Sequence, residues 1–122
     1  MSETLLEATR GARELLSDPD RWHRGSMAAD KEGKTVASSD PSAYRFCLLG
    51  ALMRNTNSLS FMNPIRHLLP EWAADGDLHG NQRQLTTFND DRRTRYQDVL
   101  RFLDAAIAYL EAGGEKHEQT NR

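Results

Sequence analysis

The run Phe46-Cys47-Leu48-Leu49-Gly50-Ala51-Leu52 constrains this chain more than any other stretch. A helix that is apolar nearly all round has to be buried among other elements. Asp40-Pro41 supplies a helix start, with an aspartate N-cap and proline at the first helical position. The sequence therefore predicts a central helix from Asp40 to Met53, with Cys47 two turns inside it. Gly50 costs helix propensity by about 1 kcal/mol against alanine, so close approach of another backbone is its expected reason.

Around this element the pattern predicts a mainly α protein, a compact bundle of about four helices. The first runs from about Glu3 to Leu16. Thr4 and Glu7 have capping-box spacing, Leu5, Ala8, Ala12, Leu15 and Leu16 form one stripe, and Pro19 ends the helix. Asp30-Lys31-Glu32-Gly33 has turn chemistry, so a short β-hairpin is expected near residues 26–37. Phe61, Ile65, Leu68, Leu69 and Trp72 suggest a third helix, ended or kinked by Pro70. Residues 73–93 read as a loop pinned by Leu78, Leu85 and Phe88. The last helix has Thr94 and Gln97 as a second capping box, a stripe from Tyr96 to Leu110, and Gly113-Gly114 as its stop. The expected organisation is one helical domain over 1–114 and a flexible tail over 115–122.

The chain has 122 residues, 16 basic and 18 acidic, with a formal charge of −2. No global field attracts nucleic acid or an acidic membrane. The longest apolar stretches fall short of the roughly 20 residues of a membrane span. A single cysteine cannot form an internal disulfide. These features predict a cytoplasmic protein without a membrane partner, and leave the oligomeric state open.

Candidate chemistry centres on few residues. Cys47, a histidine (His67 or His79) and Asn89 or Asp90 have the chain order of a thiol hydrolase, nucleophile then base then orienting group. Against this, an apolar setting raises a thiol pKa, and two turns inside a helix is beyond the useful reach of its dipole; a structural cysteine is the expectation. Asp75-Gly76-Asp77-Leu78-His79-Gly80 imitates the opening of a calcium loop, but Thr86 stands where the bidentate glutamate is required. His67, His79, Cys47 and Asp77 lack zinc spacing, so neither metal nor cofactor is expected. Asn89-Asp90-Asp91 suits a structural turn. Arg92, Arg93 and Arg95 beside it could meet phosphates or an acidic partner, although Asp90, Asp91 and Asp98 dilute them. Trp22 is suited either to a core edge or to an interface.

Several of these elements occur together in an order met elsewhere. Trp22-x-x-Gly25, a Gly33-centred turn, Asp40-Pro41-x-Ala43, Phe46-Cys47-Leu48-Leu49-Gly50-Ala51 and Phe88-Asn89-Asp90 lead into a Val99-Leu100-x-x-Leu103-Asp104-x-Ala106-Ile107 helix. This arrangement resembles a family of small bacterial and phage-associated proteins of unknown function, in which a Trp/Phe-Cys-x-x-Gly-Ala-Leu helix precedes an Asn-Asp motif. The resemblance implies that Trp22, Cys47, Asn89 and Asp90 matter, and implies company with mobile elements, but no activity or cofactor. The expected function is a non-enzymatic protein-interaction module, for example a phage inhibitor or regulator of a host macromolecule. Its expected binding residues are Trp22, Asn89, Asp90, Arg92, Arg93 and Arg95. The alternatives are a small thiol-dependent hydrolase using Cys47, His79 and Asn89 or Asp90, and nucleic-acid binding through Arg92, Arg93 and Arg95.

Overall fold

A computed structural model describes residues 4–54, 65, 67–74 and 81–113. Five α-helices occur among them: α1 (Leu5–Leu15), α2 (Leu48–Arg54), α3 (Glu71–Ala74), α4 (Asn81–Asp90) and α5 (Tyr96–Glu111). A 3-10 turn covers Pro19–Arg21, and two short strands, β1 (Ala28–Ala29) and β2 (Arg45–Phe46), pair antiparallel. The mainly helical expectation agrees with this architecture.

The terminal helices form as their sequence signals dictate. Thr4 Oγ1 accepts from the Glu7 amide at 3.1 Å and Glu7 returns a carboxylate to the Thr4 amide at 3.2 Å, closing the capping box of α1. Leu5, Ala8 and Ala12 are fully buried, as is Leu16 just beyond the helix. Helix α1 packs against both α5 and α2. On their outer edges Arg10 pairs with Glu111 at 2.5 Å and Arg13 with Asp104 at 2.8 Å. Exposed pairs of this kind contribute little beside the apolar contacts beneath them. Helix α5 starts one residue later than expected. Arg95 is the N-cap, and Asp98 accepts the Arg95 amide at 2.9 Å. Arginine has no acceptor to return the bond, so only half of a capping box exists. Gly113, at φ +95°, ends α5 in the left-handed conformation that glycine accepts without strain.

The central helix is the main correction. Asp40 does not start it. Its carboxylate accepts the Ser42 amide at 2.8 Å and the Ser42 hydroxyl at 2.7 Å, and its carbonyl accepts the Ala43 amide, which makes an isolated turn. The chain then runs extended, with Phe46 opposite Ala28 and Arg45 opposite Ala29. Pairing with β1 overrides the helix signal at Asp40-Pro41, and Tyr44-Arg45-Phe46 carries two strand-favouring aromatics. Helix α2 therefore opens at Leu48, and Cys47 stands at its N-terminus rather than two turns within it. The run is buried as expected: Phe46, Leu48, Ala51 and Leu52 are wholly inaccessible. Gly50 has the expected backbone neighbour, since a Cβ there would lie 2.0 Å from the Met27 carbonyl oxygen.

The turn predicted near residues 26–37 is present. Asp30 Oδ1 accepts the amides of Glu32 at 3.0 Å and Lys34 at 2.9 Å, Gly33 has φ +88°, and Ala29 bridges Thr35. Ala28–Ala29 also pairs with β2, so a three-way contact supports an element too short to stand alone. Ile65 and Leu69 are buried, and Pro70 separates them from α3; the start of the predicted third helix lies outside the described residues. The stretch read as a loop over 73–93 contains α4, which packs on α2 and α3. Only Leu85 and Phe88 mark its apolar face in the sequence, too few to announce a helix. Phe88-Asn89-Asp90 is its last turn, not a separate loop.

Candidate functional site

The C-terminal turn of α4 meets the N-terminus of α2 and the segment Trp22–Gly25. Asn89 sits at the junction, fully buried. Its Oδ1 accepts the indole N–H of Trp22 at 2.6 Å and the backbone N–H of Leu48 at 2.9 Å. Its Nδ2 donates to the His23 carbonyl at 3.0 Å and to Asp90 Oδ1 at 2.9 Å. An asparagine side chain offers two donors and two acceptor lone pairs. All four are used within the protein.

Leu48 is the first residue of α2, and its amide is one of the donors a helix cannot satisfy internally. Asn89 satisfies it across 41 positions of sequence. Cys47 serves the same helix end, its Sγ accepting the Gly50 amide at 3.2 Å. A thiol at a helix N-terminus is usually activated. Here Cys47 is only 2% exposed, and burial pushes its thiol up in pKa. The amides of Gly50 and Leu49 pull the other way without prevailing, and the charge of Asp90 adds to the rise. Burial, and not distance from the helix end, is what opposes activation of this thiol.

The Trp22–Gly25 segment is bound back at each residue. The Gly25 amide reaches Asp90 Oδ1 at 3.2 Å from a φ of +99°, a conformation that explains glycine there. Arg24 donates to the carbonyls of Asn89 at 3.3 Å and of Thr94, closing the open end of α4, and its guanidinium lies 4.7 Å over the Trp22 ring. Trp22 also packs 6.0 Å from the Tyr96 ring, and the Tyr96 hydroxyl donates to the Leu16 carbonyl at 2.5 Å. His23 holds its ring on Ser26 Oγ at 2.8 Å; burial first, then the positive charge of Arg45, lower its pKa, against a smaller opposing effect of Asp90.

The predicted site residues thus divide. Trp22, Cys47, Asn89 and Asp90 come together, joined by Arg24, Gly25 and His23. His67 is exposed and packs edge-on against Tyr109 at 4.8 Å, away from this junction. His79 and the calcium-like loop lie outside the described residues. Among the described residues no group of three His, Cys, Asp or Glu side chains could hold a metal ion. Arg24 and its cross-chain carbonyls left no local signal, because its acceptors stand 65 and 70 residues away.

The arginines face elsewhere. Arg93 grips Asp91 through Nε at 2.9 Å and Nη2 at 3.0 Å, and stacks 3.9 Å over Trp72. This arginine holds the Asp91 carboxyl down at about 2. Arg92 and Arg95 are exposed, and neither guanidinium has a hydrogen-bond or ion-pair partner among the described residues. Arg95, Gln97, Asp98 and Arg101 line an open hollow of about 560 Å³.

A family model matches residues 1–109, nearly the whole chain and the complete junction. The chain belongs to DUF6197, a family of unknown function. No curated protein and no solved structure matches it. The DUF6197 match spans both the Asn89 network and the arginine-bearing start of α5. Among the described residues no helix is long and apolar enough to cross a membrane.

Proposed function

We propose that this protein is a non-enzymatic protein-interaction module, and that it acts as an inhibitor or regulator of a host macromolecule on behalf of a phage or other mobile element. The observation that carries the non-enzymatic part is the saturated Asn89. Every polar valence of its side chain is spent on Trp22, His23, Leu48 and Asp90. A residue orienting a catalytic base needs a valence directed at that base. Arginine, with tyrosine and tryptophan, dominates interface anchors, and the exposed arginines between α4 and α5 supply that chemistry.

Two measurements test this reading. Affinity capture on the folded protein from host lysate is expected to retain a stoichiometric protein partner; reproducible failure counts against the module. Iodoacetamide near pH 6.5 is expected to modify Cys47 only after denaturation. Modification of the native protein faster than that of a free thiol would favour a thiol enzyme, the reading to which Cys47 at a helix N-terminus beside Asn89 and Asp90 lends support. Nucleic-acid binding through Arg92, Arg93 and Arg95 would instead give an affinity that falls steeply with salt.

A further inference from the structure

Building on the interaction-module reading, we propose that the hollow at the start of α5 receives a protein segment bearing spaced carboxylates, with Arg95 and Arg101 as its ligands. Arg95, Gln97, Asp98 and Arg101 line this one space of about 560 Å³, room for one or two acidic side chains. The Arg95 backbone is engaged by Asp98 at 2.9 Å, but its guanidinium meets no acceptor among the described residues. Arg101 touches Asp98 at 3.2 Å in an i,i+3 pair with its own side chain 78% exposed. Such a contact is readily exchanged for a better one. Two guanidiniums and one carboxylate therefore line the hollow, and that carboxylate touches only the Arg101 guanidinium while already tied to the Arg95 backbone amide. The site holds one positive charge more than it neutralises. The N-terminus of α5 adds a further partial positive charge at the same place. Guanidinium donors match a carboxylate in a planar, two-bond geometry.

The same arrangement selects against a continuous polyanion. Asp98 sits in the hollow, and Asp91 stands in the turn before it. A nucleic-acid backbone, charged at every phosphate, would be pressed against Asp98, while Asp91 is already answered by Arg93, and the chain as a whole carries −2. A peptide that places its carboxylates apart, with neutral residues opposite Asp98, meets the arginines without that repulsion.

The test is an NMR titration of the full chain with a synthetic peptide of glutamates spaced by glycine and serine. Its glutamine counterpart and an oligothymidylate serve as comparison probes. The glutamate peptide is expected to shift the signals of Arg95, Gln97 and Arg101 saturably, and the glutamine peptide is not. R95E/R101E, two exposed charge reversals, is expected to lose about tenfold or more in affinity while keeping a native spectrum. K34E, on the distant turn, is expected to keep the wild-type affinity. Tighter binding of oligothymidylate, shifts confined to other residues, no saturable shift, or unchanged affinity in R95E/R101E each overturns the proposal. The module reading is judged separately by capture from lysate. A partner retained by both wild type and R95E/R101E keeps the module and removes this surface. Peptide binding at the hollow without any captured partner keeps the surface and removes the module.

Discussion

Replacing Asn89 with alanine removes the side chain that ties α2, α4 and the Trp22 segment together. The Leu48 amide, fully buried, is left without its acceptor. Water cannot replace it without opening the core, so this donor alone costs about 1–3 kcal/mol. The Trp22 indole N–H and the His23 carbonyl are part-buried and lose about 1 kcal/mol each. The sum is about 3–5 kcal/mol, a large share of the roughly 5–15 kcal/mol that holds a domain folded. With a urea slope of about 1.5 kcal/mol/M, the unfolding midpoint falls by about 2–3 M. Equilibrium urea unfolding followed by far-UV circular dichroism measures this directly. W22F isolates one of the bonds, since it keeps a packed ring and removes the N–H. In the Asn89→Ala background W22F should cost about 1 kcal/mol less than in the wild type. A loss below about 1 kcal/mol for Asn89→Ala, or strict additivity with W22F, would refute the view that this network holds the fold.

Other expectations follow from the same geometry. Gly50→Ala places a Cβ 2.0 Å from the Met27 carbonyl oxygen, which is itself bonded to the Cys47 amide. Backbone has to shift, at about 3 kcal/mol or more, and thermal denaturation should show a strongly lowered or absent transition. Asp91 has its pKa depressed to about 2 from an ordinary 3.8 by Arg93. Its contribution to stability is therefore complete above the unfolded value and lost as the pH falls from there toward about 2. A carboxyl ¹³C titration should find the low midpoint, and Arg93→Gln should return it toward the ordinary value. His23 has its pKa lowered, so the unfolded chain takes up that proton first. Stability should decline as the pH drops below about 6.5 toward the folded pKa, and His23→Gln should flatten that part of the pH–stability curve.

Much of the fold was legible because its signals are local. Thr4-x-x-Glu7 and the stripe of α1 are complete within a few turns, and so are the stripe of α5 and Gly113 after it. The burial of Phe46–Leu52 followed from composition alone, and the role of Gly50 followed from its cost. What failed depends on contacts across the chain. Asp40-Pro41 reads as a helix start in isolation, and only pairing with Ala28–Ala29 draws Tyr44–Phe46 into extended structure. Helix α4 was missed because Leu85 and Phe88 are nearly its whole apolar signal, and its stability comes from α2 and α3. At the site, Trp22, Cys47, Asn89 and Asp90 stand out in the sequence itself. Their bonds do not, because each joins residues tens of positions apart.

The junction also explains why order and spacing carry the resemblance better than any single motif. Trp22-x-x-Gly25 supplies an indole donor at one end and, at the other, a positive-φ amide for Asp90. Phe46-Cys47-Leu48 supplies a strand residue, a capping sulfur and an orphan helix amide in immediate succession. Asn89-Asp90 supplies the acceptors and donors that close on the indole, the Gly25 amide, the His23 carbonyl and the Leu48 amide. Trp22, Gly25 and Leu48 all depend on Asn89-Asp90, so their spacing is demanded by one network of hydrogen bonds, and a catalytic role is not needed to account for it. That network also sets where α4 ends, through Arg24 on the carbonyls of Asn89 and Thr94, and hence where the turn bearing Arg92 and Arg93 leads into α5. A substitution at Asn89 should therefore weaken partner binding only as far as it unfolds the chain or displaces that turn. A substitution at Arg95 or Arg101 should weaken binding with the fold intact, and this contrast separates the scaffold from the surface it presents.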